Sequence, residues 1–212
     1  MAMTEISDRI RVPFAGDDAA LTVALQAGQR SAQEALYHRY ATHVRNVLVR
    51  VLGTNVDLKD HLHNTFIQIF TGVESVRDGT CLKQWLTRVA VFTAIAHIKY
   101  SQRKRWLTFM APEEVPPQEY HGADDEQREA VYQVYSILKK MTAEDRAIFC
   151  LRVIEGMQLK EMAEVFEVSL ATIKRRITHA QERFAFHLRS NPALEEWIRN
   201  ESTGRFRQRE AG

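Results

Sequence analysis

Apolar residues along this chain recur at intervals of three and four, the period of a helix with one buried face. Leu36, Tyr40, Val44, Val47 and Val51 keep to one side of such a helix. Ahead of them, Ser31-Ala32-Gln33-Glu34 reads as a capping box, in which the serine hydroxyl takes a free backbone N–H and Glu34 reaches back. Gly53 suits the left-handed residue that ends the helix. A shorter helix is expected before it, from about Asp18 to Ala27, stopped at Gly28. Asp57 is a good N-cap for the next, which carries Leu62, Phe66, Ile69 and Phe70 and stops at Gly72. After a loop with Asp78 and Gly79, Thr80 opens a long helix through Trp85, Val89, Phe92 and Ile98 to about Trp106.

The pattern then breaks. Residues 107–127 hold Pro112, Pro116, Pro117, Gly122 and a run of acids, which predicts an irregular connector. Helical periodicity returns near Glu129 and continues through Leu138. Thr142 caps a helix that ends at Gly156, and two short segments follow between Leu159 and Phe184. Asn191-Pro192, an N-cap and a first-turn proline, starts a last short helix; the tail after Thr203 is polar. No segment alternates as a strand does. The expectation is an all-α chain with an N-terminal helical domain at 17–106, a linker at 107–127, a smaller helical domain at 128–190, and a C-terminal tail with a short helix at 191–212.

Charge sharpens this division. The net charge of the whole chain is only +2, but it is unevenly spread. Residues 1–106 carry 14 basic against 9 acidic side chains, and residues 128–212 carry 15 against 12. Between them lie Glu113, Glu114, Glu119, Asp124, Asp125 and Glu126, with no base. Cys81 and Cys150 lack metal-ligand spacing and are read as two reduced core residues. His61 and His63 are no metal pair, since i,i+2 residues do not share a helix face. No metal or cofactor is expected. No apolar stretch is long enough to span a membrane, and no signal-like segment opens the chain, which points to the cytoplasm.

The chemistry concentrates in LKEMAEVFEVSLATIKRRITHAQERF, Leu159 to Phe184. Ile173, Ile177, Ala180 and Phe184 make one apolar stripe. At about 100° per residue, Ala171, Arg175 and Thr178 point away from it, with His179 close by, and Lys174 and Arg176 lie on the flanks. The preceding helix offers Met162, Ala163 and Phe166. Val168 plugs the turn, Ser169 caps the second helix, and Glu167 stands where such turns often hold glycine. This is the layout of a helix-turn-helix, one helix bracing while the next presents side chains to a major groove. Two amphipathic helices with a solvated basic face would share the periodicity. The polar and basic groups on the outward N-terminal turns are what distinguish a groove reader.

From Ile137 to Phe184 the chain resembles the C-terminal DNA-binding domain of bacterial RNA polymerase sigma factors of the extracytoplasmic-function (ECF) group. Leu151-Arg152, Glu155-Gly156, Glu161-Met162-Ala163, Val168-Ser169, Thr172-Ile173-Lys174 and Ala180 carry the likeness, in order. ALYHRYATHVRNVLVRVLG, DLKDHLHNTFIQIF and WLTRVAVFTAIAHIKYSQRKR resemble that group's other domain, and the acidic spacer falls at its interdomain linker. The resemblance spans about Asp17 to Arg189.

It implies a non-enzymatic initiation factor that binds core RNA polymerase, through the coiled coil of its largest subunit and its flap, directs it to promoter DNA and helps melt the −10 region. The polymerase-docking residues it implies are Asp57, Asp60, His63, Asn64 and Phe66; Lys59 stands where an acid is usual and His63-Asn64 where Gln-Glu is. Asp57 and Asp60 also read simply as first-turn acids favoured by the helix dipole. The implied −10 residues are Arg88, Phe92, Thr93, Lys99, Arg103, Lys104 and Arg105, with Trp85 as a core anchor. Phe92 can stack on an unpaired base or sit in the core, and the core is the preferred reading. The implied −35 residues are Ser169, Ala171, Thr172, Lys174, Arg175, Arg176, Thr178, His179 and Arg183. An anti-sigma factor is a further candidate partner, and the tail with Trp197 a candidate regulatory element. The competing readings are a free-standing helix-turn-helix regulator and a sigma-like protein with weakened core binding. An enzyme finds no Gly-rich phosphate loop, zinc-protease motif or nucleophile elbow.

Overall fold

The computed structural model describes residues 14–53, 57–108, 125–192 and 194; side chains are described outside 105–108 and 125–128. Among them are eight α-helices and no strand. They are α1 (Asp18–Gln26), α2 (Arg30–Leu52), α3 (Leu58–Gly72), α4 (Leu82–Thr108), α5 (Asp125–Leu138), α6 (Ala143–Phe149), α7 (Leu159–Val165) and α8 (Leu170–Leu188). The chain forms two compact units, one of Met1–Val49 with Asp57–Ala94 and one of Arg50–Val56 with Ile95–Gly212. The division runs through α2 and α4, whose last turns group with the second unit.

In the first unit the apolar stripe of α2 is buried as its spacing requires, with Leu36 and Val44 fully enclosed and Tyr40 nearly so. Asp17 caps α1 by accepting the Ala20 N–H at 2.9 Å. Asp18 then takes both the Arg39 guanidinium, at 2.8 Å, and the Tyr40 hydroxyl. Burial and that carboxylate push the Tyr40 phenol up to about 12. Gln26 closes the far end of α1, donating to the carbonyls of Val73 and Val76 at 3.2 and 2.9 Å.

Three local expectations need correction here. Ser31 is not the cap of α2: the N–H groups of Ala32 and Gln33 both go to the Gln29 carbonyl, so the helix starts at Arg30. Glu34 instead meets Arg30 one turn back, at 3.7 Å. Thr80 does not open α4 but lies in a one-turn 3₁₀ segment, Gly79–Cys81, capped by Asp78. Cys81 on that turn is exposed; only Cys150 is a core cysteine, and burial pushes its thiol up to about 12.

In the second unit Thr142 caps α6 as expected, accepting the Asp145 N–H at 3.2 Å. The helix widens into a π turn, Cys150–Ile154, before Gly156 at φ 75°. Phe149 of α6 stacks on Phe184 of α8 with centroids 4.2 Å apart, a pair worth about 1 kcal/mol beyond its buried area. Ile148, Leu151, Met162, Ile173 and Ala180 are buried in the same unit. α4 extends to Thr108 and α5 begins at Asp125, so helix occupies both edges of the stretch expected to be irregular. Acids in a helix's first turn are favoured by its dipole. The remaining acids of the spacer, Trp197 and the polar tail lie outside the described residues. Asn191 does cap a helical start, accepting the Leu194 N–H at 3.3 Å.

Candidate nucleic-acid interface

α8 presents the face its sequence promises. Ser169 accepts the Thr172 N–H at 3.2 Å, and its hydroxyl also meets that of Thr172 at 2.9 Å. Ile173, Ile177, Ala180 and Phe184 are buried. Ala171, Lys174, Arg175, Arg176, Thr178 and His179 are exposed, with Thr172 and Arg183 half-buried. Ser169 and Thr172 are thus committed to each other, and Thr178 bonds back to the Lys174 carbonyl at 3.2 Å. The side chains presenting free polar ends outward are chiefly the cations. Arg183 lies over the Phe186 ring, 5.9 Å from its centroid. The turn before α8 holds Glu167 at φ 50°, the left-handed region where a non-glycine residue is strained.

Two acids of α6 face this helix, which sequence reading missed. The Asp145 carboxylate lies 3.6 Å from His179 Nε2. Burial pushes the Glu144 carboxyl up, but a hydrogen bond from Lys99, one from its own backbone N–H and the charges of Lys99 and Arg176 together hold it below the usual carboxylate range. The Thr142–Asp145 capping pattern is visible in sequence, but its partner across the helix pair is not.

On α3, Asp57 accepts the N–H groups of Lys59 and Asp60, at 3.1 and 3.3 Å. Such a cap stabilises a helix by about 1 kcal/mol. Asp57, Lys59, Asp60, His63 and Asn64 are exposed. Phe66 is 3% exposed and packs on Tyr37 and Phe70, with centroids 4.8 and 5.8 Å away, so it supports this face from beneath. Burial pushes the His61 imidazole down, against the pull of Asp57 and Asp60.

On α4, Phe92 is 43% exposed, against the expectation that it packs in the core. Its helix neighbours Val91 and Ile95 take the buried face instead. The Arg88 guanidinium sits over the Phe92 ring at 5.7 Å. Thr93 donates to the Gln68 side chain at 2.9 Å and is also within 2.8 Å of the Val89 carbonyl, which ties α4 to α3. Trp85 is half-buried. Further along, Lys99 pairs with Glu144, and Arg103 and Lys104 are exposed. Arg105 belongs to α4, but its side chain lies outside the described residues. Among the described residues no cluster of His, Cys, Asp or Glu could hold a metal, and no helix is long and apolar enough to cross a membrane.

Residues 36–104 match the family described as Sigma-70 region 2, and residues 132–183 match Sigma-70, region 4. The chain is 26% identical over 185 residues to the ECF RNA polymerase sigma-E factor of Haemophilus influenzae, a match covering 78% of this chain and 92% of that protein. It is 24% identical over 177 residues to the ECF RNA polymerase sigma-E factor of Escherichia coli K12, covering 78% and 91%. In fold it is similar to CnrH, solved with the cytosolic domain of CnrY, at TM-score 0.55 and 19% identity over 82% of this chain and 98% of that one. The sigma factor RpoE of Bartonella quintana, solved with the anti-sigma factor NepR, gives TM-score 0.55 and 18% identity over 74% and 97%.

Proposed function

This chain belongs to the sigma-70 family, as a sigma factor of the ECF group, and from that premise we propose how its residues divide the work. It is a transcription initiation factor whose partners are core RNA polymerase and promoter DNA. In our reading 17–106 is the polymerase-docking and −10 domain, 107–127 the linker, 128–190 the −35 domain and 191–212 a separate tail. The observation that carries the reading is the pairing of two sigma-70 regions, in order, with an outward cationic face on α8 and an exposed acidic first turn on α3.

Docking falls to Asp57, Asp60, His63 and Asn64, over the support of Phe66. Arg88, Phe92, Thr93, Lys99, Arg103, Lys104 and Arg105 meet the −10 strand. Ser169, Ala171, Thr172, Lys174, Arg175, Arg176, Thr178, His179 and Arg183 meet the −35 element. Bases are read from the outward centre of α8 and phosphates are held from its flanks. The family's members are non-enzymatic, and we assign this chain no catalytic step of its own; RNA synthesis belongs to the polymerase. We place it in the cytoplasm, with the polymerase. RpoE of Bartonella quintana was solved with an anti-sigma factor, which supports a partner of that kind here.

Run-off transcription on genomic DNA of the source organism, with core polymerase and with or without this protein, tests the reading. Defined new start sites only when the protein is added support it. Lys59 on the docking face favours a second reading, a regulator that binds DNA without polymerase. Specific DNA binding without core binding or new transcripts would establish that instead.

A further inference from the structure

We infer that Asp145 is a positioning residue for −35 recognition, fixing the His179 ring so that its other nitrogen is offered to DNA as a hydrogen-bond acceptor. The inference rests on the −35 reading of α8 proposed above.

Asp145 lies in the first turn of α6 and its side chain is only 12% exposed, whereas that of His179 is 59% exposed. The carboxylate is held from its own side of the interface. Thr142 donates its hydroxyl to Asp145 Oδ2 at 2.9 Å and takes the Asp145 N–H in return at 3.2 Å. The same Oδ2 is the atom that faces His179 Nε2 at 3.6 Å. At 3.6 Å the two groups are in ion-pair range rather than hydrogen-bonded, and a carboxylate there electrostatically favours an N–H over a lone pair at Nε2. In the neutral ring Nδ1 is then the lone pair left over. A second-element carboxylate that sets tautomer and ring orientation is a general device for making histidine a defined ligand.

The consequence is a base preference. In the major groove an acceptor pairs with the exocyclic amino group of adenine or cytosine, and it meets guanine O6 and N7, or thymine O4, acceptor to acceptor. His179 held by Asp145 therefore favours an amino-bearing base at its position. Without the carboxylate either ring nitrogen can carry the proton, and the ring tolerates donors and acceptors alike.

The test uses holoenzyme reconstituted from core polymerase and the full-length factor, assayed at pH 8 on promoter duplexes carrying each of the four bases at every −35 position. The variants are Asp145→Asn, Asp145→Ala, His179→Ala and Asp145→Asn/His179→Ala. Asp145→Asn keeps the size of the side chain and a partner for Thr142, and thermal melting verifies that each variant is folded. We expect His179→Ala to lose a preference of about 5-fold at one position, the size of one hydrogen bond. Asp145→Ala should lose most of the same preference at the same position, Asp145→Asn less because its amide oxygen can still face Nε2, and the double variant should lose no more than His179→Ala alone. Binding to non-promoter duplex should stay within about twofold. If His179→Ala loses the preference and both Asp145 variants keep it, the inference fails while the −35 reading stands. Uniform weakening of Asp145→Ala on all duplexes, with the base preference kept, would reduce Asp145 to a partner of the Thr142 cap and also overturn the inference. If His179→Ala keeps every preference, His179 reads no base and both fall.

Discussion

The guanidinium of Arg88 lies over the ring of Phe92, one turn further along α4, with Phe92 43% exposed. A part-exposed aromatic ring with a cation beside it can serve as a platform for an unpaired base, since every base has a π-face. Phe92→Ala is therefore expected to slow promoter opening, with a loss of about 1–3 kcal/mol, the range for one base–aromatic stack. Phe92→Trp should retain opening. 2-Aminopurine fluorescence at the −10 element reads the step. Normal opening by Phe92→Ala would return the residue to a packing role.

Glu167 at φ 50° stores strain in the turn between α7 and α8. Glycine has no Cβ to clash there. Glu167→Gly should raise stability by about 1 kcal/mol, or roughly 2–4 °C in melting temperature for a chain of this size. Circular dichroism melting measures it. A lower melting temperature would mean that contacts of the glutamate outweigh its backbone strain.

What was legible in the sequence is what is local. The α8 stripe of Ile173, Ile177, Ala180 and Phe184 is buried because a 3.6-residue period leaves no other face for it. The caps Asp57, Thr142 and Ser169 reach only three residues, so type and spacing suffice to find them. Most misreadings came where a neighbour in space decides. Phe92 follows buried Val91 and precedes buried Ile95, and apolar residues on several sides of α4 hide which face is inward. Ser31 lost its capping role because the Gln29 carbonyl already accepts the first N–H groups. Asp145 facing His179, and Gln68 holding Thr93, are pairings between helices that no periodicity encodes.

The proposed docking face of α3 mixes signs, with Lys59 exposed between Asp57 and Asp60. If it meets a basic surface of the polymerase, charge at Lys59 and Asp60 should tune affinity in opposite directions. Asp60→Lys is expected to abolish co-purification with core polymerase, and Lys59→Glu to tighten binding severalfold. Competition against the wild-type factor for a limiting amount of core measures both. Asp57 stays unmutated in this comparison, because its loss would uncap α3. Unchanged competition by both variants would move the docking surface elsewhere.

Lys174 and Arg175 are adjacent in sequence and exposed, yet a helical step of about 100° separates their directions. Arg175 lies opposite the buried stripe, at the centre of the outward face, and Lys174 lies on its flank. A flank ammonium holds phosphate as a point charge and reads no sequence, while a central guanidinium can reach a base edge. Lys174→Ala should weaken holoenzyme binding about equally on every promoter duplex and reduce the slope of log affinity against log salt by about 1. Arg175→Ala should instead change the order of preference among −35 variants, by about 1–3 kcal/mol at one position. Binding titrations at several salt concentrations, over a set of −35 substitutions, separate the two outcomes. A Lys174→Ala loss confined to one base pair, or an Arg175→Ala loss spread evenly over all of them, would reverse the assignment of flank and centre on α8.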